Sequence, residues 1–323
     1  MRPRALGLAL VAAVFLLVLL PETAHAWTPG THVHLGEALL RSLWLLPEGL
    51  RALLSSFPHD FLYGSIAADT SIAKKYAAAG RHSHSWQVGF EVLERARDDR
   101  LRAFAYGYLA HLAADTVAHN YFVPRQLATT ASTTALGHSY WESRAEMYLG
   151  EAAPRRAREL IMLDHSRSDA HLDAILSPTI FSIPTSRRIF RGMVRAADME
   201  SWQRVFQALA ERSRWDLPEE IVASHLERSF DYVVDLLVRG RESEPLRLDP
   251  AGTAQLKWAK RLRRTALRGG GVTAAFVEAE RHFGLPPSSL GYAAQVDPLL
   301  RPGVRQGGKA LDERYTERRA AIN

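Results

Sequence analysis

In the segment AYGYLAHLAADTVAHNYFVP, residues 105–124, His111, Asp115 and His119 recur every four positions through an apolar background. An α-helix turns about 100° per residue, so side chains four apart nearly superpose and all three share one face. For a single histidine, a polar seam bonded to local carbonyls is the better reading. Three ligand-type residues flanked by Leu109, Leu112, Ala113, Ala114, Val117 and Ala118 are costly to bury without partners. A bound divalent cation satisfies all three at once.

Further nitrogen and oxygen ligands lie on either side. LGHSYWES places His138 and Glu142 four apart at the start of a helical run. FLYGSIAADTS carries Asp69 in what reads as a Gly/Ala-rich turn, and RHSHSW offers His82 or His84 just before a helix. WTPGTHVH supplies Trp27 and either His32 or His34. Each has an ordinary explanation alone, as a satisfied histidine, a turn aspartate or a core aromatic. Together they form an ordered set of His and carboxylate groups.

The elements that must position this set are helices. Amphipathic runs separated by Ser/Thr-Pro and Gly punctuation cover roughly 33–45, 86–97, 99–122, 139–150, 154–164, 168–177, 186–212, 218–239, 253–267 and 272–283. Pro154 suits a first helical turn, and Ser168-Asp169 reads as an N-cap. No stretch shows sustained strand alternation, and there is no internal repeat. The expected fold is all-α. RGRESEPLRLDPAG, residues 239–252, is the one stretch with linker composition, and from residue 297 the chain turns loop-like and charged, as a loose tail does.

The chain has 323 residues, 47% of them hydrophobic, enough for one large core or two modest ones. It opens with a basic MRPR, an apolar ALGLALVAAVFLLVLL and a small-x-small ending at Ala24-His25-Ala26, the pattern of a signal peptide cut before Trp27. An uncleaved anchor is the alternative, since the apolar run is only slightly short of a spanning helix, and the Ala-x-Ala ending favours cleavage. Export, to the periplasm or the medium, is therefore expected. Cleavage removes Arg2, Arg4 and Glu22 and leaves a net charge of +5 with neutral histidines. That mild excess suits an anionic substrate or a membrane surface without indicating either. With no cysteine, the exported protein is stable without disulfides, and any metal site uses nitrogen and oxygen ligands alone.

In the order of these motifs the sequence resembles the zinc-dependent phospholipase C family, with its α-toxin-like catalytic domain, and the related S1/P1 nucleases. The shared order is a signal peptide cut before Trp, a Thr-His soon after, a loop Asp, a His-x-Trp, a helix with His-xxx-Asp and a further His, then His-xxx-Glu. Specific motifs cover residues 27–150, and beyond them the likeness is only in helical content. The resemblance implies a multi-helix phospholipase C/P1 nuclease-like bundle over 27–296, with the metal-site half at 27–150, additional helices at 151–296 and a tail at 297–323. It also implies two or three zinc ions. Asp69, His84, His111 and the bridging carboxylate of Asp115 would hold the first. The α-amino and carbonyl groups of Trp27, His32 and the other oxygen of Asp115 would hold its neighbour, and His119, His138 and Glu142 the third. His32 is preferred to His34 because it follows Thr, and His84 to His82 because it precedes Trp86 at the family spacing.

The implied activity is hydrolysis of phospholipid head-group phosphodiesters, with a water held between metals as nucleophile and Asp69 as ligand and candidate base. Three features depart from the pattern. His119 follows Asp115 by only four residues, where family members carry a longer insertion. Gly30 stands where choline-reading members have an acidic residue, and Thr70 replaces an aromatic. Residues 151–323 read as helical, so no β-sandwich membrane-binding domain is expected there. A single-strand nuclease, suggested by HSYW, is the alternative; Trp86 is its one obvious stacking residue, and Glu142 favours the lipase side. A non-catalytic metalloprotein of the same fold is a third reading. The remaining histidines read as structural: His165 and His171 in the solvated DHSRSDAH stretch, and His59, His225 and His282 with local bonds. SRRIFRGMVR, residues 186–195, reads as a solvated arginine face with Ile189, Phe190 and Met193 inward, offering peripheral membrane or phosphate contacts.

Overall fold

Side-chain caps and prolines set many of the helix starts. Thr28, Ser85, Asp98 and Ser182 each accept a hydrogen bond from the backbone N–H three residues on, and Pro29, Pro58 and Pro184 sit in first turns where their missing N–H costs nothing. The computed structural model describes residues 27–71, 81–130, 134–213, 215–296 and 300. In order its α-helices are α1 (Pro29–Arg41), α2 (Glu48–Ser56), α3 (Pro58–Ala67), α4 (Trp86–Glu94), α5 (Asp99–Val117), α6 (Val123–Thr129) and α7 (Thr134–Leu149). They continue as α8 (Ala152–Ile161), α9 (Ser166–Asp173), α10 (Ile183–Ala197), α11 (Glu200–Glu211), α12 (Glu219–Arg239) and α13 (Thr253–Phe283). Among the described residues there is no strand, so the expected all-α class holds. None of these helices is long and apolar enough to cross a membrane. The expected signal peptide, residues 1–26, and most of the expected tail lie outside the described residues.

α5 is the central rod. It is buried nearly all round, with α3, α4 and α12 packed on it, as a helix without a polar face must be. Its crossing with α3 is made by two glycines: a Cβ on Gly64 would strike the carbonyl of Phe104, and one on Gly107 the carbonyl of Phe61. Phe61, Tyr63, Phe104 and Tyr108 fill the space on either side and are fully buried. FLYGSIA is therefore helix rather than turn; only Ala68–Thr70 departs from it, as a 3₁₀ turn.

Several other boundaries differ from the sequence reading. The run expected at 186–212 breaks into α10 and α11 at Asp198, which caps α10 and pairs with Arg158. α9 starts at Ser166, whose N–H is bonded by Asp164, so Ser168-Asp169 lies inside it. The linker-like stretch 239–252 is docked: Asp235 accepts from the N–H of Glu244, and two 3₁₀ turns follow α12. α13 is a helical hairpin. Gly271, at φ 73° and ψ −156°, takes a conformation open only to glycine, and the reversal brings His282 back to within 5.8 Å of the Trp258 ring.

Candidate metal centre

Six short pieces of chain bring the ligand-type side chains together. α1 presents His32, the 3₁₀ turn after α3 presents Asp69, and the loop before α4 presents His84. α5 carries His111 and Asp115, and α7 carries His138 and Glu142. His119 lies in a π-turn, Ala118–Phe122, that follows α5 directly. Pro124 explains the turn, since its ring would clash with the Asn120 carbonyl in a continuous α-helix and it has no N–H to give. Asn120 instead donates to the carbonyls of Thr116 and Asp249. The wider turn takes His119 out of the stripe expected from its spacing, and it joins α7 rather than His111 and Asp115.

Three groups of converging ligand atoms result: His32, His111 and Asp115; Asp69, His84 and His111; His119, His138 and Glu142. Within each group the atoms lie within 4.8 Å of one another, and every member is buried. Asp115 links the first two, its Oδ1 3.1 Å from His32 Nε2 and its Oδ2 3.1 Å from both His84 Nε2 and His111 Nε2. Asp69 Oδ1 is 3.2 Å from His84 Nε2 and 3.8 Å from His111 Nε2. In the third group His138 Nε2 is 2.6 Å from Glu142 Oε1, and the His119 ring meets His138 edge-on at 5.0 Å. Most of these separations fall near the roughly 3.3–3.6 Å between neighbouring ligands of a tetrahedral zinc.

The outward ring nitrogens are already engaged. His111 Nδ1 donates to the Ser65 carbonyl at 2.8 Å and His119 Nδ1 to the Pro250 carbonyl at 2.5 Å, while His84 Nδ1 bonds Ser83 Oγ at 3.1 Å. Carbonyls only accept, so the Nε2 lone pairs of His111 and His119 face inward, the usual arrangement of metal-ligating histidines. Tyr108 steadies the His84 loop by donating to the Ser83 carbonyl at 2.6 Å. Burial lowers the His32 pKa to about 4, with His111 adding to the effect. Burial also opposes charge on His111, but Asp115 and Asp69 outweigh it and raise its pKa. Burial likewise opposes ionisation of Asp115, yet the three histidines around it hold its carboxyl well below the ordinary range. The Nε2 atoms of His84 and His111, 3.0 Å apart beside an ionised buried carboxylate, are a donor set that a divalent cation fits.

The rival histidines fall elsewhere. His34 points to the Leu300 carbonyl, and His82 is in none of the three groups. Trp27 is fully buried; its indole donates to Ser229 Oγ at 3.1 Å and its ring lies 5.1 Å from Phe122. His165 and His171 donate to the carbonyls of Leu160 and Val92, and His225 donates to that of Ile221. The arginine stretch is not simply a solvated face. Arg187 is buried against Asp169 and Asp173, and Arg191 reaches Asp169 at 2.8 Å, where Tyr63 also donates. Phe190 points inward as expected, but Ile189 and Met193 are only half-buried. The supporting groups at Ser65, Ser83, Tyr108 and Pro250 had no signal in the sequence, because three of them act through backbone carbonyls.

Residues 31–185 match the family model for zinc dependent phospholipase C. That span includes Asp69, Asp115, Glu142 and the five histidines of the three groups, so the match supports the family resemblance at the site itself. The all-helical fold and the three buried ligand groups are consistent with that family, whose match supports a zinc-dependent phosphodiester hydrolase domain. No curated protein and no solved structure matches the chain.

Proposed function

We propose that this chain is an exported zinc-dependent hydrolase of the phospholipase C type, cleaving the head-group phosphodiester of phospholipids. The observation that carries the reading is the trio of buried ligand groups, two of them joined through Asp115. The leader-like first 26 residues support export to the periplasm or the medium.

In this reading the metal ligands are Trp27, His32, Asp69, His84, His111, Asp115, His119, His138 and Glu142. Zinc bound there supplies Lewis acidity toward phosphoryl oxygens and lowers the pKa of a bound water. The chain's own part is orientation and charge. Asp115 faces two histidine sets with its two oxygens, and the Ser65 and Pro250 carbonyls fix the rings of His111 and His119. Asp69 is assigned as the carboxylate that accepts a proton during attack. Asp69→Asn tests this assignment: near-normal turnover with all zinc retained would remove Asp69 from the chemistry.

Trp86 is half-buried, donates to the Leu248 carbonyl at 2.9 Å and packs on Phe90. It is tethered rather than presented to a base, which favours the lipid reading over the nuclease. The deciding experiment is elemental analysis of the chain beginning at Trp27, beside hydrolysis of a phosphatidylcholine analogue and of single-stranded DNA. Two or three zinc ions with lipid turnover is the expected result. DNA turnover alone would make it a nuclease, and a metal-free inactive protein would overturn the proposal.

A further inference from the structure

α13 carries a surface that the candidate centre does not use. Between Thr253 and Val277 there are six cations, Lys257, Lys260, Arg261, Arg263, Arg264 and Arg268, and no acidic residue. Lys257, Arg261, Arg264 and Arg268 follow i, i+4, i+7, i+11 spacing, so they form one stripe, and all four are exposed. After the turn at Gly271 the second limb exposes apolar side chains instead: Val272 is 58% exposed, Phe276 50% and Val277 57%. Leu267 and Trp258 are exposed on the first limb. The opposite sides of both limbs are sealed by Ala259, Leu262, Ala275, Ala279 and Phe283. The hairpin is anchored by Arg125, which pairs with Glu280, and by Arg263, which donates to the Ala128 carbonyl.

We propose that this hairpin docks the protein on an anionic phospholipid bilayer, with the basic stripe at the head groups and the apolar side chains around its tip entering the interface. A basic helix face beside exposed aliphatic and aromatic side chains is the composition of interfacial helices. Nucleic acid would match the charge and could stack on Phe276 or Trp258, but the exposed aliphatic Leu267, Val272 and Val277 around the tip suit a lipid interface and not a base. A second copy of the chain would set six cations against six more. The base of the hairpin touches the candidate centre: Gly252, at φ 53°, leaves no room for a Cβ against His119, and Pro250 accepts from that histidine. The lipid partner gains its purpose from the phospholipase reading and in that sense rests on it, but binding is measurable without turnover.

The test is flotation of the holoenzyme with phosphatidylcholine vesicles, with and without phosphatidylglycerol, beside hydrolysis of a soluble short-chain phosphatidylcholine. Binding should require the anionic lipid and weaken as salt rises. Arg261→Glu with Arg264→Glu and Arg268→Glu should weaken it at least about a hundredfold, from about fivefold per lost cation near an anionic surface. Val272→Ser with Val277→Ser, both at exposed positions, should weaken it about tenfold and serves alone if the charge-reversed protein does not fold. Hydrolysis of the soluble lipid should be unchanged in both. Equal binding to neutral vesicles, binding untouched by these substitutions, or capture of duplex DNA in place of vesicles would overturn the proposal. Vesicle binding without any lipid hydrolysis would leave it standing and remove the phospholipase reading; hydrolysis without vesicle binding would do the reverse.

Discussion

His111 donates through Nδ1 to the carbonyl oxygen of Ser65, 2.8 Å away across the crossing of α3 and α5, and so aims Nε2 at Asp115 and His84. The bond forms because Gly64 and Gly107 let the two backbones touch. Gly64→Ala places a methyl group against the Phe104 carbonyl, where no flexible side chain can yield. It should cost about 3 kcal/mol of stability, at the upper end of ordinary overpacking. Because Ser65 and Asp69 move with α3, zinc affinity should also fall by about ten- to a hundredfold. Thermal melting with and without metal, and titration against a competing chelator, would check both.

Glu142 belongs to the one group that shares no residue with the other two. Glu142→Gln keeps the shape and removes the anionic ligand. Zinc content should fall by one ion per chain while the ions at Asp115 stay, and turnover should fall at least about a hundredfold if that ion contributes to the clamp on the phosphoryl group. Elemental analysis beside the lipid assay reads both. Loss of all metal would mean that the three groups fill cooperatively.

His225 gives a pH dependence separate from the ligand groups. It is buried on α12, and burial, helped by Arg125 and Arg228, lowers its pKa to about 4. An unfolded histidine titrates near 6.5, so the unfolded chain binds the extra proton first as pH falls. The stabilising effect of a neutral His225 is complete above about pH 6.5 and is lost as pH drops toward 4, by roughly 3 kcal/mol in all. His225→Gln retains a donor for the Ile221 carbonyl and does not titrate. Its melting temperature should fall less steeply than that of the unaltered protein between pH 6.5 and 4. Parallel curves would show that His225 takes up its proton alike in the folded and unfolded chain, against a pKa lowered by burial.

These relationships differ in how far the sequence discloses them. The ligand types, their order and their spacing were visible because each sits in a short motif on or beside a helix, and an all-α fold follows from the 3.6-residue periodicity. How the motifs divide follows from the family resemblance, which already sets His119 with His138 and Glu142, but not from spacing alone. The spacing of His111, Asp115 and His119 predicts one stripe, yet Pro124, nine residues after Asp115, imposes the π-turn that sends His119 to another group. α2 and α3 were hidden because Pro58 interrupts the apolar pattern and the small residues of FLYGSIA pass for a turn. The buried pairing of Arg187 and Arg191 with Asp169 needs a tertiary contact between α9 and α10, which no local pattern encodes.

Trp27 offers the last test, because its own side chain fixes the position of residue 27 beside α1. The indole is pinned between Ser229 and Phe122, and Thr28 caps α1 one residue later, four residues before His32. If Trp27 contributes its α-amino group to the neighbouring zinc, that nitrogen must be free and unprotonated. Any residue placed before it converts the amine to an amide, which is no ligand. The chain starting at Trp27 should therefore bind one more zinc than the same chain carrying a single additional alanine, while the group at His119, His138 and Glu142 stays loaded in both. Ser229→Ala should cost about 1 kcal/mol of stability and weaken the same ion by loosening residue 27. Equal metal content in the extended and unextended chains would strike Trp27 from the ligand set and leave His32 and Asp115 to be completed by another group.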